Sequence, residues 1–525
     1  MRLTGSILID FGLRCAGTVL LIAATVVTAR AQTSPPSAHE RKADVAVSQS
    51  PLPAPAPERL PPDVTTHHTL ELPGHTLHFA ATAGSIPVHD DNGVLQSEVG
   101  FVAYQLDGTN KQTRPVTFVF NGGPGMASGW LQVGAIGPWR VALHDGPDQP
   151  ETSPYMPVAN SDTWLDFTDL VFIDPPGTGF STIHDSEDAR KRLWSVTGDV
   201  TALAGVIRRW LDRNDRSVSP HFLLGESYGG FRVPRIARAM QSDQGVAVAG
   251  MILLSPLLDV HVESGFTDLF GWVDRLPSEV AAARALKGPI TRADLADVEE
   301  YAATDYLTDL LRGERDTAAL DRLAARVAAL TGFDVALVRR YHGRLDTDVF
   351  LHELQRASRL VGSRYDATIA DPDPFPHRDL SFYPEPVMEG FKAPVTSAMV
   401  VIYNEMLNWR PETSYRLQND RAARQWDWGR GMGRPESIGS LQAAMSLNPR
   451  MRVMIGHGMF DLVTPYFTDV LIQRALPDNE ADRVSLAVYP GGHMFYSQDA
   501  SRAALRRDAR TLYASPSRPA GANDP

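Results

Sequence analysis

The sequence predicts an α/β protein: a mostly parallel, buried central sheet interrupted by one long, largely helical insertion. Two observations carry this expectation. Short continuous apolar runs at 116–120, 170–174, 222–225, 251–255, 452–455 and 485–489 lack the alternation of half-exposed strands and suit strands covered on both faces. These runs stop near residue 258 and resume near 451. The interval shows helical spacing instead, with Leu320, Leu323, Val327 and Leu330 on one face and Gly313 and Gly332 as helix stops. Because core strands abut both of its ends, the interval reads as an inserted cap rather than an independent domain. The chain has 525 residues, 43% hydrophobic and 21% charged, which suits one large domain carrying an insertion. The expected boundaries are 64–258 and 451–515 for the two parts of the core, 259–450 for the cap and 516–525 for a disordered tail.

Within the first part of the core, apolar stretches between Thr69 and Gln105 alternate with turn residues. They predict antiparallel strands, with Asp91-Asn92-Gly93 as a hairpin turn. Further on, Leu193, Val196, Val200, Leu203, Ile207 and Trp210 recur every three or four residues and predict one crossover helix.

Ahead of the core, Arg2 and Arg14, an apolar run at 15–28 and then Ala29-Arg30-Ala31 form the pattern of a cleavable signal peptide over 1–31. The run falls short of the roughly 20 residues a spanning helix needs. The expectation is therefore export, to the periplasm or the medium, with no membrane attachment after cleavage. Residues 32–63 contain Pro51, Pro53, Pro55, Pro57, Pro61 and Pro62 and read as an extended linker. The only cysteine, Cys15, falls inside this signal, so the mature chain is expected to have neither thiol nor disulfide. A formal net charge of -12 with scattered Lys and Arg offers no basic patch and argues against nucleic acid as a partner. Asp371-Pro372-Asp373 and His67-His68 lack a convincing ligand set and read as solvated loop residues, so neither a metal nor a cofactor is expected. Nothing in the sequence specifies an oligomeric state.

Chemistry enters at Gly225-Glu226-Ser227-Tyr228-Gly229-Gly230. This G-x-S-x-G match directly follows an apolar run and precedes a helical pattern of Val233, Ile236, Ala237 and Met240. That context is the nucleophile elbow of the α/β-hydrolase fold, in which Ser227 would be the nucleophile. A serine hydroxyl needs a base to take its proton and a third group to orient the base. Asp461 and His493 each follow a late strand and come in the order Ser, Asp, His that the fold requires. His457 competes for the role of base, but it precedes Asp461 and would reverse that order. Asn121-Gly122-Gly123-Pro124-Gly125 follows the strand at 116–120. It reads as half an oxyanion hole, with the N–H groups of Gly123 and Tyr228 aimed at a developing negative charge.

These motifs together resemble the serine carboxypeptidase family, peptidase family S10, and in particular its bacterial secreted members. The resemblance spans roughly residues 75 to 500. It rests on Asn121 to Gly125, on Asn160 to Trp164 followed by Asp174 and Gly177-Thr178-Gly179-Phe180-Ser181, on the elbow, and on the surroundings of Asp461 and His493. It implies removal of single residues from peptides with a free C-terminus, often at acidic pH. It also implies that Asn121, Gly122 and a protonated Glu226 bind the substrate carboxylate, since an ionised Glu would repel it. The chain departs from the family pattern in two places. Ala135-Ile136-Gly137-Pro138 stands where many members have Glu-Leu-Gly-Pro, which removes a second acid, and Met126 replaces a common cysteine. The same triad would serve an aminopeptidase resembling the prolyl iminopeptidases, or an esterase or acyltransferase. A non-catalytic binding protein is disfavoured by the complete triad.

Overall fold

Nine strands form the central sheet of the computed structural model, which describes residues 59–141, 156–184, 186–260, 268–378, 385–429 and 435–514. The expected signal, linker residues 32–58 and the 516–525 tail lie outside the described residues. The strands are β1 (Val64–Leu72), β2 (His75–His89), β3 (Leu95–Leu106), β4 (Val116–Phe120), β5 (Asp169–Ile173), β6 (His221–Glu226), β7 (Gly250–Leu254), β8 (Arg452–Gly458) and β9 (Val484–Tyr489). Their order is β1-β2-β3-β5-β4-β6-β7-β8-β9. The first three strands are antiparallel, β3 pairs antiparallel with β5, and every pairing from β5 through β9 is parallel. This is the α/β-hydrolase fold.

The apolar runs became strands because helices cover both faces. On one face Phe79, Tyr104, Trp130 and Phe222 pack with Leu505 and Ala509 of the helix Asp499–Ala514. On the other, Phe118, Leu223 and Val453 pack with Ile207, Trp210, Met240 and Leu441. The hairpin between β2 and β3 forms as expected, with Asp90 Oδ1 accepting from Asn92 N and Val94 N, and Gly93 at φ 78°.

The expected single crossover helix is instead two, Glu187–Leu193 and Val196–Arg213. The Ser195 hydroxyl accepts from Gly198 N (3.1 Å) and starts the second helix afresh, a side-chain cap that apolar periodicity cannot register. His67 and His68 are a second correction. They sit in β1 rather than a loop, with the His68 ring stacked 5.6 Å from that of Phe79. Asp373 is likewise not solvated: its buried carboxylate lies 2.9 Å from His352 Nδ1. Among the described residues no cluster of three or more His, Cys, Asp or Glu could hold a metal, and no helix is long and apolar enough to cross a membrane.

The neighbours β7 and β8 pair in register from Gly250 against Arg452, although some two hundred residues separate them in sequence. Between them the chain runs through helices including Leu276–Ala285, Thr317–Thr331 and Pro386–Val401. Gly313 and Gly332, at φ 72° and 82°, end two of the helices there. The apolar cluster of this insertion takes in Met459, Phe460, Leu462, Tyr466 and Phe467, which flank the end of β8. The insertion and the loop after β8 thus share one core.

At the opposite end of the sheet, buried Asp169 holds β5 to its neighbours. It accepts from Arg114 Nε (2.6 Å) and Leu106 N (3.0 Å) and pairs with the fully buried Arg216. Removing one member of a buried ion pair strands the other charge, at a cost of about 3–5 kcal/mol. Asp169→Ala is expected to lose about that much stability in a denaturant titration, and an effect below about 1 kcal/mol would refute the pairing.

Candidate active site

Ser227 sits between the last residue of β6 and the first of the helix Tyr228–Ser242, at φ 59° and ψ −122°. Few side chains adopt this backbone, and here the surroundings impose it. Ser227 N donates to Leu254 O at the end of β7 (2.9 Å), and Leu257 N donates to Ser227 O (3.0 Å). Close packing does the rest. A Cβ at Gly225 would come within 2.1 Å of Gly229 O, and one at Gly122 within 2.5 Å of Tyr228 N. Within the elbow, Ser227 is partly exposed while Glu226, Tyr228 and Gly229 are buried, so the turn presents the hydroxyl outward.

His493 is fixed from three directions. Its Nδ1 is 2.7 Å from Asp461 Oδ2, its backbone oxygen accepts from the Ser255 hydroxyl (2.8 Å), and its backbone N–H donates to Tyr365 O of the insertion. The Tyr365 ring stands edge-on to the imidazole, with centroids 5.4 Å apart. Ser227 Oγ and His493 make no hydrogen bond to each other in this state. Such contacts are often long before substrate binds.

Asp461 is wholly buried. Val463 N (2.7 Å) and Thr464 N (3.1 Å) donate to its Oδ1, and the Thr464 hydroxyl lies 2.9 Å from its Oδ2. Burial alone would raise this carboxyl. The His493 charge and the hydrogen bonds from His457 and His493 outweigh burial and hold it well below the usual carboxylate range. For His493 the balance also favours the charged form: burial opposes it, but the Asp461 charge and hydrogen bond, with Glu226, raise its pKa.

The expected carboxylate-binding residues also converge. Asn121 Nδ2 donates to Glu226 Oε2, and Asn121 Oδ1 accepts from Leu131 N (3.0 Å). Glu226 is 3% exposed, and burial pushes its pKa up to about 7 against the opposing pulls of His493, Tyr496 and Asn121. Gly122 packs against the elbow backbone. Among the described residues the N–H groups of Gly123 and Tyr228 donate to no protein acceptor, and Gly123 is exposed.

Three contributors were not anticipated, and a fourth, His457, was weighed only as a rival base. Tyr496 donates from its hydroxyl to Glu226 Oε1 (2.8 Å) and packs by Gly134, beside the buried Ala135. Thr464 links Asp461 to Ser255 O (3.0 Å). The buried Arg232 ties Asp199 (2.6 Å) to Asn121 O (2.6 Å) and so steadies the glycine loop. His457 stands behind Asp461. Tyr496 follows His493 by three residues, a spacing that could have flagged it; Thr464 and Arg232 carried no motif.

A parallel sheet, a nucleophile elbow after β6, and an Asp and a His on the loops after β8 and β9 define an α/β-hydrolase. Residues 73–284 match the family described as serine carboxypeptidase, Peptidase S10. Similar curated proteins include the serine carboxypeptidase-like 41 of Arabidopsis thaliana, 29% identical over 39% of this chain and 43% of that one. Another is the pheromone-processing carboxypeptidase KEX1 of Coprinopsis cinerea, 27% identical over 38% of this chain and 30% of that one. The chain thus spans less than half the length of these relatives. Among solved structures, the prohormone-processing carboxypeptidase Kex1(delta)p of Saccharomyces cerevisiae superposes with a TM-score of 0.53 at 14% identity. That match covers 83% of this chain and 91% of the other.

A fluorophosphonate is expected to label wild-type protein at Ser227, and Ser227→Ala is expected to remain folded and unlabelled. Gly122→Ala, whose Cβ would press on the elbow, should slow labelling about 100-fold, the order of effect of losing an oxyanion donor. Labelling that survives in Ser227→Ala refutes the assignment.

Proposed function

We propose that the protein is a serine-type carboxypeptidase acting on peptides with a free C-terminus. The observation that carries this reading is a buried carboxyl, Glu226, immediately before the nucleophile, with its pKa raised to about 7 by burial. A neutral carboxyl can donate a hydrogen bond to a substrate carboxylate, whereas an ionised one repels it. Asn121 Nδ2 spends one hydrogen on Glu226 and keeps a second for the substrate, and Gly122 N–H adds a further donor. Tyr496 occupies the other Glu226 oxygen. A phenol therefore stands in for the acid that Ala135 lacks.

In this reading Ser227 Oγ attacks the last peptide carbonyl while His493 Nε2 takes its proton, and Gly123 N–H and Tyr228 N–H donate to the developing oxyanion. Asp461 holds the imidazole in the tautomer that leaves Nε2 free. The imidazolium then returns the proton to the leaving amino group, and water, deprotonated by the same imidazole, releases the acyl group. The core at 64–258 and 451–515 supplies this chemistry, and the cap at 259–450 supplies the walls around the substrate side chains. Export through the N-terminal segment is part of the same proposal.

The test compares an N-blocked dipeptide with a free C-terminus against its C-terminal amide at pH 5 and 7.5. The neutral form of Glu226 is present below about pH 7 and lost above it, so preference for the free acid is expected to be strong at pH 5. It should then fall by up to about tenfold per pH unit once Glu226 ionises. Glu226→Gln, which cannot ionise, should flatten that dependence. Undiminished preference for the free acid above pH 8 sinks the assignment, and cleavage of only free-amine peptides or simple esters points to the other activities of this fold.

A further inference from the structure

The triad has an outer pair that its chemistry does not require. His457, near the end of β8, is wholly buried behind Asp461, with Nε2 3.3 Å from Asp461 Oδ2. The same Nε2 faces the Thr464 carbonyl oxygen, which can only accept, so Nε2 carries a hydrogen. On the other side Nδ1 lies 2.7 Å from Oδ2 of Asp469, a carboxylate 1% exposed on the helix Tyr466–Ala475. Both ring nitrogens face carboxyl oxygens, and an imidazolium is the form of the ring that donates to both; burial raises the Asp469 carboxyl, and the hydrogen bond and charge of His457 oppose that shift.

The position of this cation matters because the proposed reaction makes opposing demands. Carboxylate recognition needs Glu226 neutral, which favours acid, while proton abstraction needs His493 neutral, which favours base. His493 is faced by Asp461 from the loop after β8, by Glu226 from the end of β6, by His457 from within β8, and by the Tyr365 ring from the insertion. Asp461, and Glu226 once it ionises, hold the proton on His493. His457 is the one cation among them, and its charge works against that proton. Burial disfavours the charged ring of His457, but its hydrogen bonds to Asp461 and Asp469 outweigh burial and raise its pKa to about 9.

We propose that His457 and Asp469 form an outer pair of the triad, a buried imidazolium that tempers the pull of Asp461 on His493 and extends the working range of the base toward acid. His457 is a positioning residue; it touches Asp461 rather than the substrate. The inference rests on the hydrolase reading of Ser227, Asp461 and His493. It is independent of which bond the enzyme cleaves.

The test measures the rate of fluorophosphonate labelling of Ser227, a reaction that needs no carboxylate recognition, from pH 4 to 8. Wild type is expected to show an acid limb set by His493. Loss of the neighbouring cation raises the pKa of His493, so in His457→Gln and in Asp469→Asn the midpoint should move up by about one pH unit, whatever happens to the plateau. A lowered plateau with an unmoved midpoint, or a midpoint that moves down, overturns the proposal and leaves His457 a packing residue. Should His457→Gln fail to fold, Asp469→Asn and NMR titration of the His457 ring in wild type decide. A ring still charged at pH 8 supports the outer pair, and one that titrates near 6.5 overturns it. Wild type that is never labelled overturns the hydrolase reading and this inference with it. Labelled wild type that ignores free-acid peptides sinks only the carboxypeptidase assignment.

Discussion

The backbone at Ser227 is the constraint on which the site depends. A residue at φ 59° and ψ −122° persists only when its neighbours over-determine it, and here they do. The β7 end takes its N–H, Leu257 takes its carbonyl oxygen, and the glycine loop after β4 presses on it from the far side. Because β4 and β6 are sheet neighbours, paired from Val116 against His221, that loop arrives beside the elbow without any long excursion. The turn also settles Glu226. As the hydroxyl of Ser227 swings outward, the preceding side chain is carried inward, where Asn121 and Tyr496 receive it.

The insertion frames the loops that carry Asp461 and His493. Leu462 N donates to Arg364 O (3.0 Å) and Ala367 N donates to Phe460 O (3.1 Å), so backbone from the insertion brackets Asp461 on both sides. The next segment of that loop, Tyr466 and Phe467, is buried in the apolar cluster of the insertion. His493 is held the same way, through Tyr365 O. The two loops also hold each other, since Met459 N and Phe460 N donate to Tyr489 O and Gly491 O (2.9 Å each). Loops at strand ends are ordinarily the least constrained parts of a fold. In this protein the long insertion removes that freedom from the two that carry the Asp and the His, and the site gains a rigid frame from residues that take no part in chemistry.

Sheet strands were legible because burial on both faces leaves a plain mark, a continuous apolar run, and the observed strand ends fall within a few residues of those expected. The residues Ser227, Asp461 and His493 were legible because they sit at such ends and in a fixed order. What the sequence hid has a common character. The break at Ser195, the partners of Asp461, and the roles of Arg232, His457 and Tyr496 all depend on single polar side chains meeting across long separations, and hydrogen bonds of that kind have no period. The mistaken reading of Asp373 has the same root, for its partner His352 lies on a helix that the loop composition around Asp373 does not mention. The missing acid at Ala135 could be read directly, but the bond to Glu226 from a tyrosine at the far end of the chain could not.

The site holds two carboxyls of nearly equal burial, and the donors around each separate their roles. Asp461 accepts from two backbone N–H groups and His493, has the Thr464 hydroxyl at 2.9 Å, and has the His457 ring behind it. Glu226 accepts from one amide and one phenol, neither of them charged. Burial pushes both upward, so the outcome turns on what opposes it: the charges and hydrogen bonds around Asp461 keep it ionised, while the His493 charge and two neutral donors do not suffice for Glu226. Pairs of acids driven apart in this way mark the division of labour in an active site. Here the division leaves one carboxyl held as an anion beside His493 and one raised toward its neutral form beside the nucleophile. A Tyr496 that never ionises, its pKa held far above neutrality first by burial, then by Glu226, fits this arrangement better than a second acid would, because a second acid beside Glu226 would share its proton. With a phenol as its partner, Glu226 shares its proton with no second carboxyl.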